Sequence, residues 1–114
     1  MTNAHRGEIS ADLDGRPRTL VLTLGALAEL EQAFGAGDLV ALAERFETGR
    51  LTARDAVRII AAGLRGAGEK VSDAEVAAMR AEDGALGYAR IVARLLAATF
   101  AGADAARPQP PQTP

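Results

Sequence analysis

The sequence has no cysteine, no tryptophan, only three phenylalanines and one tyrosine, and a single histidine, His5. Without cysteine, disulfides and thiolate chemistry are excluded. The shortage of aromatic residues disfavours a sheet-rich core, whereas abundant alanine and leucine favour helices packed through small side chains. Because His5 lies in a terminal segment that we expect to be frayed, the usual proton shuttle of enzymes is nearly missing.

Long hydrophobic runs and basic clusters are also missing. No apolar stretch approaches the ~18 residues that span a bilayer, and residues 1–7 lack the apolar core of a signal peptide. The net charge is −2, and the basic residues are interspersed with acidic ones, so no basic stripe is available for a phosphate backbone. We therefore expect a cytoplasmic protein that binds neither a membrane nor nucleic acid.

The chain is long enough for one domain with a hydrophobic core. Its 114 residues are 48% apolar and 25% charged, which is typical of a globular protein. Four of the five prolines lie in the last seven residues, where no apolar period survives. We predict a flexible N-terminus over residues 1–7, a single domain over residues 8–101 and a disordered proline-rich tail over residues 102–114.

The N-terminal part of this domain has the pattern of a β-hairpin. Apolar and polar residues alternate from Glu8 to Leu13, Asp14-Gly15 predicts a tight turn, and a second strand should run from about Arg16 to Leu22. Since an isolated hairpin is marginal in water, it should lie on helices or join a partner's strand. A two-residue turn fixes three cross-strand pairs: Leu13 with Arg16, Asp12 with Pro17, and Ile9 with Leu20.

Pro17 constrains this hairpin further. At a non-hydrogen-bonded pair, the missing N–H of proline would point away from the first strand, so the hairpin tolerates it. A third strand could not pair at that position. The second strand is therefore predicted to be a sheet edge at Pro17.

From residue 23 the apolar period changes to three or four residues, which predicts about five short helices. Thr23 should cap the first helix, and Thr52 with Asp55 and Ser72 with Glu75 resemble capping boxes. The strongest apolar stripe belongs to the last helix, which we expect to form the centre of the bundle. The fold class is thus α+β and mainly α. The predicted spans are 23–34, 38–49 (with the stripe Leu39, Leu42, Ala43 and Phe46), 52–66, 72–84 and 86–100.

Convergent groups for catalysis or metal binding are not found in the sequence. Glu82 and Asp83 are adjacent, so on a helix they point about 100° apart and cannot act as one two-carboxylate site. Gly63, Gly66 and Gly68 close a helix and precede no Lys-Ser/Thr pair, unlike a phosphate-binding loop. We predict no catalytic residue, no cofactor and no metal, and therefore a protein that is not an enzyme.

Arg54, Arg58 and Arg65 are spaced four and seven residues apart, so they form one basic ridge on the third predicted helix. Two interpretations stay open for this ridge. It is either an ordinary solvated helix face or a surface that binds a partner.

Four segments together resemble a known family: GEISADLDGRPRTLVLTLGALAELEQAFG, LAERFETGRLTARDAVRIIAAGLRGAG, VSDAEVAAM and IVARLLAATF. The resemblance is to the small tail protein of gene transfer agents and related phages and prophages, and it covers roughly residues 6–101. These proteins are grouped with phage tail assembly chaperones, which are encoded between the tail tube protein and the tape measure protein. The hairpin leading into TLGALAELE is the most specific part.

The resemblance implies a protein that binds the helical tape measure protein before assembly, recruits tail tube protein around it and then leaves. The family has also been labelled a tail tube protein. Tube subunits resemble β-sandwiches or barrels, which one hairpin cannot build, so the helical majority favours the chaperone. The alternative is a permanent minor structural component of the tail.

The partner-binding surface is a hypothesis at this stage. The exposed edge of the first strand, at Glu8, Ser10 and Asp12, could accept a strand from a tube subunit, and a groove between helices could hold a tape measure helix. The ridge of Arg54, Arg58 and Arg65 completes the predicted partner-binding residues. A homo-oligomer is a further candidate assembly, although the sequence has no heptad seam that would require one.

Overall fold

The computed structural model describes residues 7–34, 44–45 and 48–106, with residue 34 and residues 100–106 described as backbone only. Within these ranges the chain forms a two-stranded sheet followed by four helices, which confirms the mainly α hairpin-plus-helices fold. Of the predicted helix over 38–49, residues 44–45 are described as helix and residues 48–49 as a turn, and the rest lies outside the described residues, as do residues 1–6 and 107–114. The elements are β1 (Glu8–Leu13), β2 (Arg16–Val21), α1 (Leu24–Phe34), α2 (Ala53–Gly66), α3 (Asp73–Ala78) and α4 (Gly84–Ala106).

The hairpin has the predicted register. Asp14 and Gly15 both have positive φ, 57° and 77°, as a two-residue turn matched to the twist of the strands requires. The pairing is antiparallel, and all three predicted pairs are confirmed. With only β1 and β2 in the sheet, Pro17 lies on an edge strand, where its missing N–H costs no ladder hydrogen bond.

The inner face of the hairpin lies on helices. This agrees with the expectation that an isolated hairpin would be only marginally stable. Ile9, Ala11 and Leu13 of β1 and Leu20 of β2 are buried, and Leu13 and Leu20 are fully so. β2 packs on α2, and β1 packs on α4. Burying a leucine side chain contributes roughly 1.5–3 kcal/mol, so this contact accounts for a large share of the hairpin's stability.

The central helix is α2, and the prediction that the last helix occupies the centre was wrong. Residues 59–64 of α2 are all buried, and α2 contacts β2, α1, α3 and α4. A helix buried on one face shows an apolar stripe, but one buried all round shows a continuous apolar run. Ile59-Ile60-Ala61-Ala62-Gly63-Leu64 is such a run, and it occupies the C-terminal half of α2.

The helix starts follow the predicted caps. Thr52 Oγ1 accepts from Asp55 N at 3.1 Å, and Asp55 Oδ2 accepts from Thr52 N at 3.0 Å. Ser72 and Glu75 form the same reciprocal box at 3.1 and 2.9 Å. Thr23 Oγ1 accepts from the backbone N–H of Ala26 at 3.1 Å. Each cap stabilises its helix by about 1 kcal/mol.

α3 ends at Ala78, well before the predicted end near residue 84. Met79 is extended, with ψ 150°, and the next residues turn to the hairpin. The backbone N–H of Asp14 donates to the carbonyl of Arg80 at 2.8 Å, and Leu13 forms an isolated antiparallel bridge with Ala81. Pairing with a distant segment thus replaces further helix at this point.

α4 starts two residues before the predicted position and ends at Ala106, six residues beyond the predicted end at Phe100. The helix therefore extends past the predicted domain boundary at residue 101. None of the helices in the described ranges combines the length and apolar character needed to cross a bilayer.

Candidate partner-binding groove

A groove of about 1140 Å³ lies between the N-terminal parts of α2 and α4 and the whole of α3. Its deepest side chains are apolar: Val92 is buried, and Val57, Met79 and Tyr88 are half-buried. This volume exceeds the roughly 300–1,000 Å³ of ordinary small-molecule pockets. We call this cavity the groove.

The walls of the groove are made of alanine. The three helices each contribute small side chains spaced three or four residues apart, so that each presents a smooth stripe to the cavity. Five of these side chains are exposed and one is half-buried. Because alanine projects so little, a helix seated here could approach the walls closely. The wall residues are Ala53 and Ala56 of α2, Ala74 and Ala77 of α3, and Ala85 and Ala89 of α4.

Tyr88 fixes one side of the groove. Its hydroxyl donates to the carbonyl of Val76 at 3.1 Å and also lies against the carbonyl of Met79, so it ties the end of α3 to α4. Burial raises the pKa of Tyr88, and the negative charge of Asp14 raises it further. The phenol therefore stays protonated and keeps donating to the backbone.

Three arginines surround the apolar surface of the groove: Arg54 and Arg58 of α2, and Arg80 after α3. Within the described part of the chain, no side-chain hydrogen bond or ion pair engages their guanidinium groups. Among the described residues that line the groove, the one acidic residue, Asp73, already accepts a hydrogen bond from Arg65 at 3.2 Å. Over the described lining, the unmatched charge of the groove is therefore positive, although the whole chain carries −2.

Arg65, the third member of the predicted ridge, is engaged inside the molecule. Its Nη1 donates to the carbonyl of Val71 at 2.9 Å and to Asp73, and its Nη2 forms an ion pair with Glu29 of α1. The hydrogen bond that Arg65 donates to the Glu29 carboxylate is the main cause that raises the pKa of Arg65. The structure thus brings Arg54 and Arg58 to the groove and places Arg65 in a clamp that joins α1, α2 and the start of α3.

The hairpin edge lies away from the groove. Ser10 and Asp12 are exposed and Glu8 is half-buried, as the strand pattern predicts. The edge is partly occupied, because Arg94 Nη2 of α4 donates to the carbonyl of Ser10 at 2.6 Å and Ala81 bridges Leu13. A strand added to this edge would have to displace Arg94.

Sequence reasoning missed Arg18. Its side chain is only 8% exposed, its Nε donates to the carbonyl of Leu13 at 3.1 Å, and it forms an ion pair with Glu69 after α2. The register contained a signal, since Arg18 faces Ala11 and therefore lies on the apolar side of the hairpin. Arg80 and Tyr88 were also missed as groove residues, because nothing in their local sequence distinguishes them.

Metal ligands do not converge in the described ranges, where no group of three or more His, Asp or Glu side chains is placed to hold an ion. The described lining of the groove itself offers apolar contact edged by cations. This arrangement suits recognition of an amphipathic segment of another chain.

Comparison with known proteins gives a match at the level of the family. A family model described as phage tail tube protein, GTA-gp10, matches residues 6–102. No curated protein matches the chain, and no solved structure does. The matched residues include the hairpin, all four helices up to residue 102 and every residue that lines the groove.

Proposed function

Because the chain belongs to the phage tail tube protein, GTA-gp10, family, we propose that it is a tail assembly chaperone that binds the tape measure protein and assists tail tube assembly. It would act by binding and not by catalysis. Its place of action would be the cytoplasm of the bacterial host, before the tail is complete. The tail tube protein would be its second partner.

The groove is the observation that carries this proposal. A tape measure protein is expected to be a long helical chain whose apolar face needs cover before the tube closes around it. The apolar base of the groove and its alanine walls offer a helix the surface that helix-in-groove recognition uses. A chaperone of this kind would shield the segment until tube subunits replace it.

The small sheet also supports the chaperone over a tube subunit. Tube subunits resemble sandwiches or barrels that join into rings through their sheets, whereas the described chain has two strands only. At β1, Arg94 and Ala81 occupy the edge, and at β2, Pro17 lacks the N–H that a neighbouring strand would use. Ring closure through these edges is therefore disfavoured.

The alternative function is that of a permanent minor structural component of the tail. The description of the matching family as a tail tube protein favours this alternative. The two functions differ in where the protein is found at the end of assembly. A chaperone leaves, and a structural component stays in the particle.

The test combines two measurements. The chain is expressed with and without its tape measure protein and purified through a tag on the tape measure protein, and finished particles are examined by mass spectrometry. A soluble complex before assembly, with the chain absent from particles, is the expected result. No complex, with the chain retained in particles, would establish the structural alternative.

Two variants of α4 locate the binding surface. Ala89→Phe places a large ring in the groove and should abolish co-purification. Ala97→Phe adds the same ring at an exposed position two turns further along the same helix, outside the groove, and should leave co-purification unchanged. Equal behaviour of the two variants would show that the groove is not the binding surface.

A further inference from the structure

We propose that the groove selects amphipathic helices whose apolar stripe is flanked by aspartate and glutamate, so that the charge pattern of the segment decides which helix binds. This inference rests on the proposed function in one respect: the natural source of the bound helix would be the tape measure protein. The occupant is thus a helix of another protein, with apolar residues on one face and acidic residues beside them.

The shape of the groove favours a helix over an extended strand. Most of its lining comes from α2, α3 and α4, the rest comes from the segments that precede and connect these helices, and none of the described lining belongs to β1 or β2. An extended segment needs free backbone groups to pair with, and the helices of the walls use theirs internally. A helix needs only small side chains opposite it, which the alanine stripes supply.

The charge around the groove specifies the flanks of that helix. The guanidinium groups of Arg54, Arg58 and Arg80 have no partner in the described part of the chain, and Asp73 is neutralised by Arg65. Lysine or arginine on the bound helix would meet these cations without compensation. Aspartate or glutamate beside the apolar stripe would form ion pairs that are bidentate where the geometry allows.

The number of ion pairs between the arginines and the bound helix gives the expected gain in affinity. Each rim ion pair is partly exposed and is worth about a factor of two to three, so three pairs multiply to about tenfold or more. These pairs are screened by salt, whereas apolar contacts are not. Discrimination should therefore shrink as ionic strength rises, while residual apolar binding persists.

The experiment uses the full chain and three designed peptides of about 20 residues. All share one leucine and alanine stripe, and the flanking positions are all Glu, all Gln or all Lys, residues of similar helix propensity. Binding is measured by fluorescence anisotropy at low and high salt. The expected order of affinity is Glu, then Gln, then Lys, with about tenfold between the first two at low salt.

Charge variants of the protein provide the matched control. Arg54→Gln with Arg58→Gln should bring the affinity for the Glu peptide down towards that for the Gln peptide. Arg16→Gln removes an exposed arginine of β2 outside the groove and should change little. Reversal, with Arg54→Glu and Arg58→Glu, should raise the affinity for the Lys peptide.

Four results would overturn the proposal. The first is equal affinity for the three peptides, and the second is unchanged peptide binding by the Ala89→Phe variant. The third is a photo-crosslinker at position 77 that reacts mainly with residues 35–47 of its own chain. The fourth is self-association of the protein that Ala89→Phe abolishes. If discrimination fails while the tape measure protein still co-purifies, only the charge selection is wrong. If discrimination holds without that co-purification, the groove is a helix site and the proposed function fails.

Discussion

The two halves of α2 have opposite surroundings. In the sealed half, residues 59–66, six consecutive residues are buried and the last two are half-buried. In the open half, residues 53–58, no residue is buried and two arginines border the groove. The C-terminal half of α2 thus belongs to the core, and its N-terminal half borders the groove. Stability should therefore depend on the sealed half, and partner binding on the open half.

The largest expected effect comes from a methyl group added to the sealed half. A Cβ on Gly66 would lie 2.2 Å from the carbonyl oxygen of Val21, a backbone atom that cannot rotate away. α2 would have to move off β2, so Gly66→Ala should lower the free energy of unfolding by about 3 kcal/mol or more. Urea denaturation followed by circular dichroism measures this loss.

Gly25→Ala is the control for this prediction. At Gly25, in α1, the nearest atom to an added Cβ is Thr23 Oγ1 at 3.8 Å, an ordinary contact. The substitution should stabilise the protein by about 0.5 kcal/mol through helix propensity. If Gly66→Ala behaved like Gly25→Ala, the close approach of α2 to β2 would be refuted.

The second prediction compares the two halves of α2 by replacing one arginine in each, Arg65 in the sealed half and Arg58 in the open half. Arg65→Gln removes the hydrogen bonds to Val71 and Asp73 and the ion pair with Glu29, and should cost about 1–2 kcal/mol after allowance for partial exposure. Arg58→Gln removes no such contact and should cost less than about 0.5 kcal/mol. Glutamine and arginine have similar helix propensities, so the pair is matched.

The readout has two parts, unfolding free energy and binding to the tape measure protein. Arg65→Gln should lower stability with binding retained at temperatures where it is folded, and Arg58→Gln should weaken binding with stability retained. The opposite pattern would mean that Arg65 faces the partner and that Arg58 supports the fold. If the two substitutions lowered the free energy of unfolding equally, the sealed and open halves would not differ in their contribution to stability.

Much of the fold followed from the sequence, because the signals that fix it are local. Asp14-Gly15 determines the turn and hence the strand register, and the residue pairs of the two capping boxes lie three positions apart. The early end of α3 could not be predicted, since it depends on the pairing of Ala81 with Leu13, which is remote in sequence. Local patterns do not contain such contacts.

The site was less predictable than the fold. Spacing placed Arg54, Arg58 and Arg65 on one ridge, but Glu29 and Asp73, from two other helices, determine which of the three is engaged internally. The groove walls are alanines, which are common in every helix and therefore give no signal. The central position of α2 likewise depends on its contacts with β2, α1, α3 and α4, which are remote in sequence.

The third prediction concerns Tyr88, the base of the groove and the only tyrosine in the chain. Its folded pKa is raised above about 10, the unfolded value. Between these two values the unfolded chain binds fewer protons than the folded one, so stability is full below pH 10 and falls as pH rises through the folded pKa. Tyrosinate absorbance should therefore titrate at higher pH in folded than in urea-unfolded protein.

Tyr88→Phe separates this titration from other alkaline effects. It removes the hydroxyl that ties α3 to α4, so it should cost about 1 kcal/mol at neutral pH. It should also lessen the loss of stability above pH 10. An identical alkaline loss in both proteins, or equal tyrosinate titrations in the folded and unfolded states, would show that the phenol is not held as the structure has it.

The smallest effect is expected at the hairpin edge, where Ser10→Pro asks whether binding extends beyond the open half. The Ser10–Thr19 pair has the same parity as Asp12–Pro17, so its N–H points away from β2 and proline removes no bond within the hairpin. The carbonyl can still accept from Arg94, and the cost should stay below about 1 kcal/mol. Because Arg94 and Ala81 already occupy this edge, we expect a pull-down with tail tube protein to be unchanged.

Loss of tube binding by a folded Ser10→Pro variant would instead identify strand addition at the edge as the mechanism. The molecule would then have two separate surfaces, one for each partner.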